Sequence, residues 1–543
     1  MPASARPNKP RSSTHKENTV LDLGRTFLQS VERSPHALAV VDGEQRLSYL
    51  DWYERIQRVA AGLATLGMRR GDHLLVVLQN RIEMATLHWA CQFLGVIVTP
   101  LNWRAKADEV EYCAADAEAR AVVCEPVSAA AVAGSSTAAR LTRIGVGGAD
   151  GTVQYEQLLE HAPDAPILEA DSEDFSLMLY TSGTTGKPKG VPRRHRAERA
   201  AALGHVAQNL YRRGECTLGV MPLYHTMGVR SLLAMALVDG AFVCVPKFDC
   251  AAAFRHIEQE RITNLYLVPT LYHDMLSWRE RHLAGGGALD IASVRKLGFA
   301  GAPMQDGLLQ RLDELFRPEL FVNHYGSSEV FTFAYDQDAT RKAGSAGRAG
   351  INTRIRVVAL DADTPDQLAA PGTEGQIICE LAGDEAFESY WNRPDANAKS
   401  IRHGWYFTGD TGYLDADGDL FVSGRVDDMI ISGGENISPV DIESVLSLHP
   451  QVDEVAVAGL KDERWGQRVV AFVKARGELS PEMLNEHIQR SGLLNFKRPR
   501  EYVFVREIPK SPVGKILRRK LAAGEYDVLP GQDSIQQGQG KQP

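Results

Sequence analysis

Cysteine is scarce and unpatterned in this chain. The seven (Cys91, Cys113, Cys124, Cys216, Cys244, Cys250, Cys379) are odd in number, scattered over 543 residues, and include no CxxC pair. That excludes a disulfide framework and a thiolate zinc site, and fits reduced thiols in a cytoplasmic protein. Long apolar runs are also missing. A membrane span needs about 18 uninterrupted apolar residues, but the best window, Met84 to Leu101, is broken by His88 and Gln92. It reads as a buried helix running into a strand. Positive charge is not in excess: 60 Lys and Arg against 69 Asp and Glu give a net charge of −9. No global basic footprint for nucleic acid or anionic lipid remains. The opening MPASARPNKPRSSTHKEN has no apolar core and is no secretory signal. An organelle-targeting helix is opposed by Pro2, Pro7 and Pro10, so a disordered tail is expected over residues 1–18.

What is present is an ordinary soluble composition, 44% apolar and 24% charged, in a chain long enough for two to four domains. The first half alternates helix and strand. Helices are expected at Leu21 to Arg33, Ser48 to Leu66 (with Ser48 as cap) and Ile82 to Phe93. Strands are expected at Ala37 to Val41, His73 to Leu78 and Gly95 to Leu101, and the pattern resumes from Phe242 to His324. Such βαβα order predicts an α/β fold with a mostly parallel sheet and helices on both faces. Ser128 to Ala138 is rich in small residues and reads as a surface segment. From Ile351, short strands with Gly, Asp and Pro turns predict a β-rich subdomain closing the large domain. After Arg425 follows a small α+β unit, plausible as a separate domain. The expected division is a tail (1–18), an N-terminal domain (19–425), a C-terminal domain (426–528) and a Gln- and Gly-rich disordered tail (529–543).

The segment Tyr180-Thr181-Ser182-Gly183-Thr184-Thr185-Gly186-Lys187-Pro188-Lys189-Gly190 follows the apolar strand Phe175 to Leu179. Its hydroxyls, glycines and lysines suit an oligophosphate: glycine lets backbone N–H groups approach, hydroxyls donate, and lysines supply charge. It is not a Walker loop, because two residues instead of four separate Gly183 from Gly186 and Pro188 replaces the Ser or Thr. A flexible polar surface loop has the same composition.

This string resembles the phosphate loop of the adenylate-forming (AMP-binding) superfamily, which includes acyl-CoA synthetases, peptide-synthetase adenylation domains and luciferases. Further runs follow in family order: Met221 to His225, Phe299 to Pro303, Tyr325 to Glu329, Trp405 to Asp410, Gly424 to Asp428, Ser432 to Asn436 and Pro509 to Lys515. The resemblance implies a mobile C-terminal domain and the following roles. Thr181, Ser182, Gly183, Thr184, Thr185, Gly186 and Lys189 would hold the ATP phosphates. Glu329 would bind Mg²⁺, a hard cation that takes carboxylate and phosphate oxygens. Tyr325 would stack on adenine with Gly301 and Ala302 across the ring, Gly326 beside it, and Ser328 near the α-phosphate where the family commonly has Thr. Asp410 would accept the ribose hydroxyls, helped by Arg425. Lys515 matches the catalytic lysine that bridges the substrate carboxylate and the α-phosphate, and Asp427 matches the hinge.

The chemistry fits this inventory. A carboxylate is a poor acyl donor, so it is first joined to AMP, with pyrophosphate leaving. Two anions must meet, and cations placed in advance stabilise the charge that develops. Similarity to the aryl-CoA ligase branch (Asp427 to Asn436, Glu463 to Gln467, Phe496 to Pro499) implies coenzyme A as the second substrate. Gly433 and Gly434 would line its tunnel, Trp465 and Phe496 would meet its adenine, and Arg104, Arg498 and Arg500 its phosphates. By the same resemblance the acyl pocket is walled by His225, Thr226, Met227, Gly228, Tyr266, His324, Val330 and Phe331. His324 is open to two readings, a hydrogen-bond partner for a polar substrate atom or a histidine satisfied by the backbone. A small aromatic or heteroaromatic acid is expected, as in aromatic acid catabolism, with a short- or medium-chain aliphatic acid as the alternative. Carrier-protein loading, luciferase-type oxidation and a catalytically silent nucleotide binder are the rival uses of the fold, and a homodimer is possible.

Overall fold

Apolar strands of four or five residues, each followed by a helix, build most of the chain up to Tyr325. The computed structural model describes residues 21–181, 188–425, 428–510 and 516–529. The expected tail 1–18, all of the expected tail 529–543 except Leu529, and Ser182, Gly183, Thr184, Thr185, Gly186, Asp427 and Lys515 lie outside the described residues.

Seven strands form the first sheet, in the order Val153–Gln154, Thr142–Gly145, Ala121–Cys124, His73–Val77, Ile97–Pro100, Phe175–Thr181, Lys189–Arg194. All pairs are parallel except the last, an antiparallel hairpin whose register sets Thr181 opposite Lys189. The second sheet has fourteen strands and changes character along its width. Leu38–Asp42, Ala241–Cys244, Cys216–Gly219, Asn264–Leu267, Lys296–Phe299 and Leu320–Tyr325 are parallel. Four of these are buried at every position, as strands covered by helices on both faces must be. Beyond Tyr325 the sheet turns antiparallel through Ala334–Asp336, Ser345–Ala349, Leu420–Arg425, Trp405–Leu414, Gly375–Glu380 and Ile355–Val358. The β-rich segment is joined to the large sheet through the pairing of Ser345–Ala349 with Leu420–Arg425.

Helix starts follow from local chemistry. Ser48 and Asp51 cap Tyr49–Thr65 reciprocally, each side chain accepting from the other's backbone N–H at 3.2 Å. Residues Ser128 to Ala138 lie at the surface as expected, but not without structure: Pro126–Ala133 is a helix that exposes Ala130 and Ala133 and buries Ser128 and Val132. Alanine is the best helix former, and its small size lets this helix sit close to Ala107–Asp116. Ser128 Oγ is satisfied by the carbonyl of Val77 at 2.7 Å.

The third sheet orders Glu435–Ile437, Ile430–Ser432, Gly466–Ala475 and Val452–Asp462, and Glu501–Phe504 pairs with Gly466–Ala475 in parallel. Helices Pro439–Ser447 and Pro481–Arg490 cover one face through Ile442, Leu446, Leu484 and Ile488. Phe472, Val505, Ile508 and Leu521 fill the other. Leu529 N–H donates to the Phe504 carbonyl at 3.1 Å, so this unit extends one residue into the expected tail. Among the described residues no helix is long and apolar enough to cross a membrane.

Candidate active site

The hairpin Phe175–Thr181/Lys189–Arg194 carries the phosphate-loop candidate at its tip. Its stem is fixed on both sides: Tyr180 OH donates to Asp116 at 2.7 Å, and Arg193, wholly buried, pairs with Glu198 at 2.7 Å. Arg193 also donates to the Glu329 carbonyl at 2.9 Å, which ties the stem to the Tyr325–Glu329 turn. Lys189 Nζ lies 4.2 Å from the centre of the Tyr390 ring. Burial depresses its pKa and Glu329 opposes that, while Arg393, Arg425 and Lys399 add to the depression. Glu329 is buried, and its carboxylate accepts from Tyr390 OH at 2.6 Å; Tyr390 in turn lies 3.2 Å from Tyr406 OH. A cation, a carboxylate and two phenols thus meet at one point, and the local field raises the Tyr390 pKa, through burial first and Glu329 second. The buried Glu329 carboxylate is a hard oxygen donor that could hold a divalent cation, and the lysine beside it could meet phosphate oxygens.

Next to it lies a second polar group. Tyr325 ends the last parallel strand of the large sheet, where such sheets bind ligands. Its hydroxyl donates to Asp410 at 2.6 Å, and Arg425 pairs with the other Asp410 oxygen at 3.2 Å. Asp410 and Arg425 face each other across neighbouring antiparallel strands. Phe333 packs on Tyr325 at 5.1 Å and on Tyr406 at 6.2 Å, coupling the two groups. Gly326 admits no side chain: a Cβ there would lie 2.0 Å from the Phe331 carbonyl. Gly301 has φ +83°, the left-handed region that glycine favours. The Ser328 side chain makes no hydrogen bond with the described residues, whereas Ser327 Oγ accepts from Glu329 N–H at 3.2 Å.

Several pocket candidates come together. His225 caps helix Thr226–Leu237, accepting from Met227 N–H at 3.4 Å through Nδ1. Met227, Tyr266, Val268 and Ala300 form one buried cluster. Gly228 is packed against backbone, a Cβ there falling 2.2 Å from the Pro222 carbonyl; its part is helix packing, and it offers no open wall. His324 is buried, 5.3 Å from Tyr266 between ring centres, and its Nε2 lies 3.2 Å from Asn209 Oδ1. Val330 and Phe331 are buried alongside.

The C-terminal unit docks beside this cleft. Lys510 and Ile516 pair with one another and, with Ser447, face Ala302, Pro303 and His273 across a cavity of about 230 Å³. His273 Nε2 lies 3.0 Å from Asp453, and Nδ1 lies 3.3 Å from Glu454 and 3.6 Å from Asp274. Burial opposes its charge, but hydrogen bonds to Asp274 and Asp453 and the field of Glu454 outweigh that and raise it to about 9. Gln305 Nε2 donates to the Val455 carbonyl at 2.8 Å. On the C-terminal unit, Gly433 (φ +63°) abuts Trp465, a Cβ there falling 2.7 Å from the indole. Arg500 and Arg464 lie over the same indole at 4.2 and 4.9 Å. Gly434, beside Gly433, and Phe496, two residues before Arg498, are exposed, and Arg498 Nε is buried with no partner among the described residues. Arg104 is not brought to this group: it stacks on Trp103 at 3.6 Å in the N-terminal part.

Tyr390, Asn209 and His273 lie outside the motif runs, and Tyr406 stands within one, Trp405 to Asp410, with no role assigned to it there. Tyr390 stands in FESYWNRP, between two motif runs, and the aromatic pair before Asn-Arg-Pro is the one available signal.

This fold and cleft are those of an AMP-binding enzyme. The AMP-binding enzyme family model matches residues 27–391 and the model of its C-terminal domain matches residues 441–515; the chain belongs to this family. It is 34% identical to a 4-chlorobenzoate–CoA ligase of an Arthrobacter species, over 91% of this chain and 93% of that protein. It is also 34% identical to the indoleacetate–CoA ligase of Aromatoleum aromaticum, over 89% and 94%. Among solved structures, the o-succinylbenzoate CoA synthetase of Bacillus subtilis with its acyl-adenylate superposes with TM-score 0.77 at 26% identity, covering 91% of this chain and 97% of that one.

Proposed function

We propose that this AMP-binding enzyme joins a small aromatic or heteroaromatic carboxylic acid to coenzyme A by way of an acyl-adenylate, with release of pyrophosphate and AMP. One observation carries this reading: the Lys189–Glu329–Tyr390 group and the Tyr325–Asp410–Arg425 group share one cleft, and the segment flanking Lys515 reaches its edge at Ala302. ATP laid across both groups would meet cations and hydrogen-bond donors at its phosphates and a carboxylate at its ribose. Glu329 would hold Mg²⁺, which draws off phosphate charge, and Tyr390 orients that carboxylate. The acid then attacks the α-phosphorus while charge builds on its oxygens; preplaced cations lower that barrier without any protein nucleophile. Lys515 belongs at this step, beside both anions. For the second step the C-terminal unit turns at Asp427, and Gly433, Trp465, Arg498 and Arg500 present coenzyme A. The aryl preference draws support from the flat, aromatic-rich surroundings of Tyr266, His324 and Phe331 and from the two curated relatives.

The test is a panel of carboxylic acids (benzoate, hydroxybenzoates, furoate, short and medium alkanoates) with ATP, Mg²⁺ and coenzyme A, read as AMP release. Acid-dependent AMP and acyl-CoA are expected. Pyrophosphate release without thioester, rescued by a carrier protein, would replace coenzyme A as acceptor. No turnover with any acid would leave a nucleotide binder.

A further inference from the structure

Buried polar atoms normally find hydrogen-bond partners, yet one region around the acyl-pocket candidates concentrates atoms that do not. Among the described residues, Arg230 Nε, His205 Nε2, His324 Nδ1, Thr332 Oγ1 and both Glu385 carboxyl oxygens are buried and make none. Their side chains adjoin. His205 lies 5.2 Å from His324 and 4.7 Å from Tyr266 between ring centres. Arg230 Nη1 donates to Tyr266 OH at 3.3 Å, Nη2 donates to the Phe331 carbonyl, and no carboxylate of the described residues pairs with it. Arg230 is one helical turn beyond Thr226 and Met227 on the helix that His225 caps, so it shares their face.

A single amide decides which atoms remain to be used. Asn209 Nδ2 lies 2.8 Å from the His205 carbonyl, which can only accept, and this fixes which end of the amide carries the hydrogens. The same Nδ2 lies 2.9 Å from His205 Nδ1, so that nitrogen accepts, and the neutral ring carries its proton on Nε2. Asn209 Oδ1 in turn accepts from His324 Nε2–H at 3.2 Å, which leaves His324 Nδ1 as a bare lone pair. Burial, reinforced by Arg230, holds both imidazoles neutral, with pKa values well below the usual range. Two donors, Arg230 Nε–H and His205 Nε2–H, therefore stand near one acceptor, His324 Nδ1.

An unsubstituted ring or an alkyl chain would leave all three unpaired. A second carboxylate, which only accepts, would oppose the Nδ1 lone pair. A hydroxyl both donates and accepts, and meets the set. Burial raises the Glu385 carboxyl, and the field of Arg230 reaches both Glu385 and the buried Glu198, so the guanidinium has carboxylates near it without an anionic guest. Resting on the ligase reading above, we propose that the acyl pocket ends in a hydroxyl-binding well built from His324, His205 and Arg230, oriented by Asn209, and that the acid activated is a hydroxyaryl acid.

The full-length enzyme tests this with benzoate, the three hydroxybenzoates, terephthalate and hexanoate, each read as AMP release with coenzyme A present. One hydroxybenzoate should exceed benzoate in kcat/KM by at least about 100-fold, because a site built to hydrogen-bond a hydroxyl rejects the analogue lacking it. His324→Phe should reduce that ratio towards one while KM for ATP stays constant. The inference is overturned if wild-type enzyme uses benzoate or hexanoate as well as any hydroxybenzoate, if terephthalate is preferred, or if His324→Phe slows both acids by one factor. Should that variant fail to fold, the wild-type panel decides alone. Adenylation of benzoate without hydroxyl preference defeats this inference but leaves the ligase reading standing. Inactivity towards every acid defeats both.

Discussion

The interior of the C-terminal unit and the joint that docks it are built from opposite materials. Inside, Val455, Val457, Val469, Val473 and Tyr502 of a five-stranded sheet are buried under two helices, and Phe472 is buried on its other face. At the joint the specific contacts are polar and include His273 with Asp453 and Glu454, Gln305 with a carbonyl, and Ser438 Oγ with the Ser423 carbonyl at 2.6 Å. Apolar burial resists opening because water regains nothing from it. Hydrogen bonds and ion pairs exchange for water at small net cost. A unit that holds its own shape yet detaches cheaply would suit the alternation between two half-reactions proposed above.

The largest expected effect breaks the joint's purpose and leaves the core alone. Lys515→Ala should lower acyl-adenylate formation by roughly 10²–10³-fold, on the scale of removing one preplaced charge donor, while thioester formation from supplied acyl-AMP changes little; parallel single-turnover assays check this. Equal losses would mean that Lys515 does not serve adenylation. Phe472→Ala attacks the core instead and should cost about 3–5 kcal/mol. Hydrogen exchange should rise across Gly466–Ala475 and Val452–Asp462 and stay unchanged in the parallel strands of the large sheet. Uniform exchange would show that the units do not fold separately.

His273 sharpens the contrast through pH. Docked, it is raised to about 9; exposed, it titrates near 6.5. Its contribution to docking is therefore full below about 6.5 and is lost as pH rises through 9. Interlobe energy transfer between labels should report this loosening, and His273→Ala should flatten the profile at a cost of about 1–2 kcal/mol. An unaltered profile would place the pH dependence elsewhere, with Lys474, Arg476 and Lys510 the neighbouring charges. The smallest effect concerns the exposed face: Arg498→Ala should raise KM for coenzyme A about tenfold, or about 1.4 kcal/mol, leaving pyrophosphate exchange intact. An equal fall in exchange would remove Arg498 from the coenzyme A side.

Legibility in the sequence followed chemistry and range. Glu329, Asp410 and Tyr325 sit in strings whose composition is rare enough to identify, and the structure groups them with Lys189 and Arg425 as those strings imply. The parallel strands were legible because runs such as Ala241–Cys244 are apolar at every position. The continuous sheet beyond Tyr325 was not, since short polar-edged strands carry no mark of which edge they join. Pro126–Ala133 was hidden for a related reason: alanine and serine bury without a hydrophobic signature. Tyr390, Asn209 and His273 draw their roles from partners 61, 115 and 180 positions away, a separation that no local pattern registers.

Two guanidiniums lie over the Phe331 ring, Arg193 at 4.2 Å and Arg230 at 5.3 Å. Arg193 is committed to Glu198 and the Glu329 backbone, while Arg230 donates to Tyr266 beside the histidines. On the reading proposed above, Phe331 would be a party wall between the nucleotide's machinery and the guest's quarters. A lineage can refurnish one room, trading histidine or arginine for other side chains as new acids come into its diet, without disturbing the engine next door.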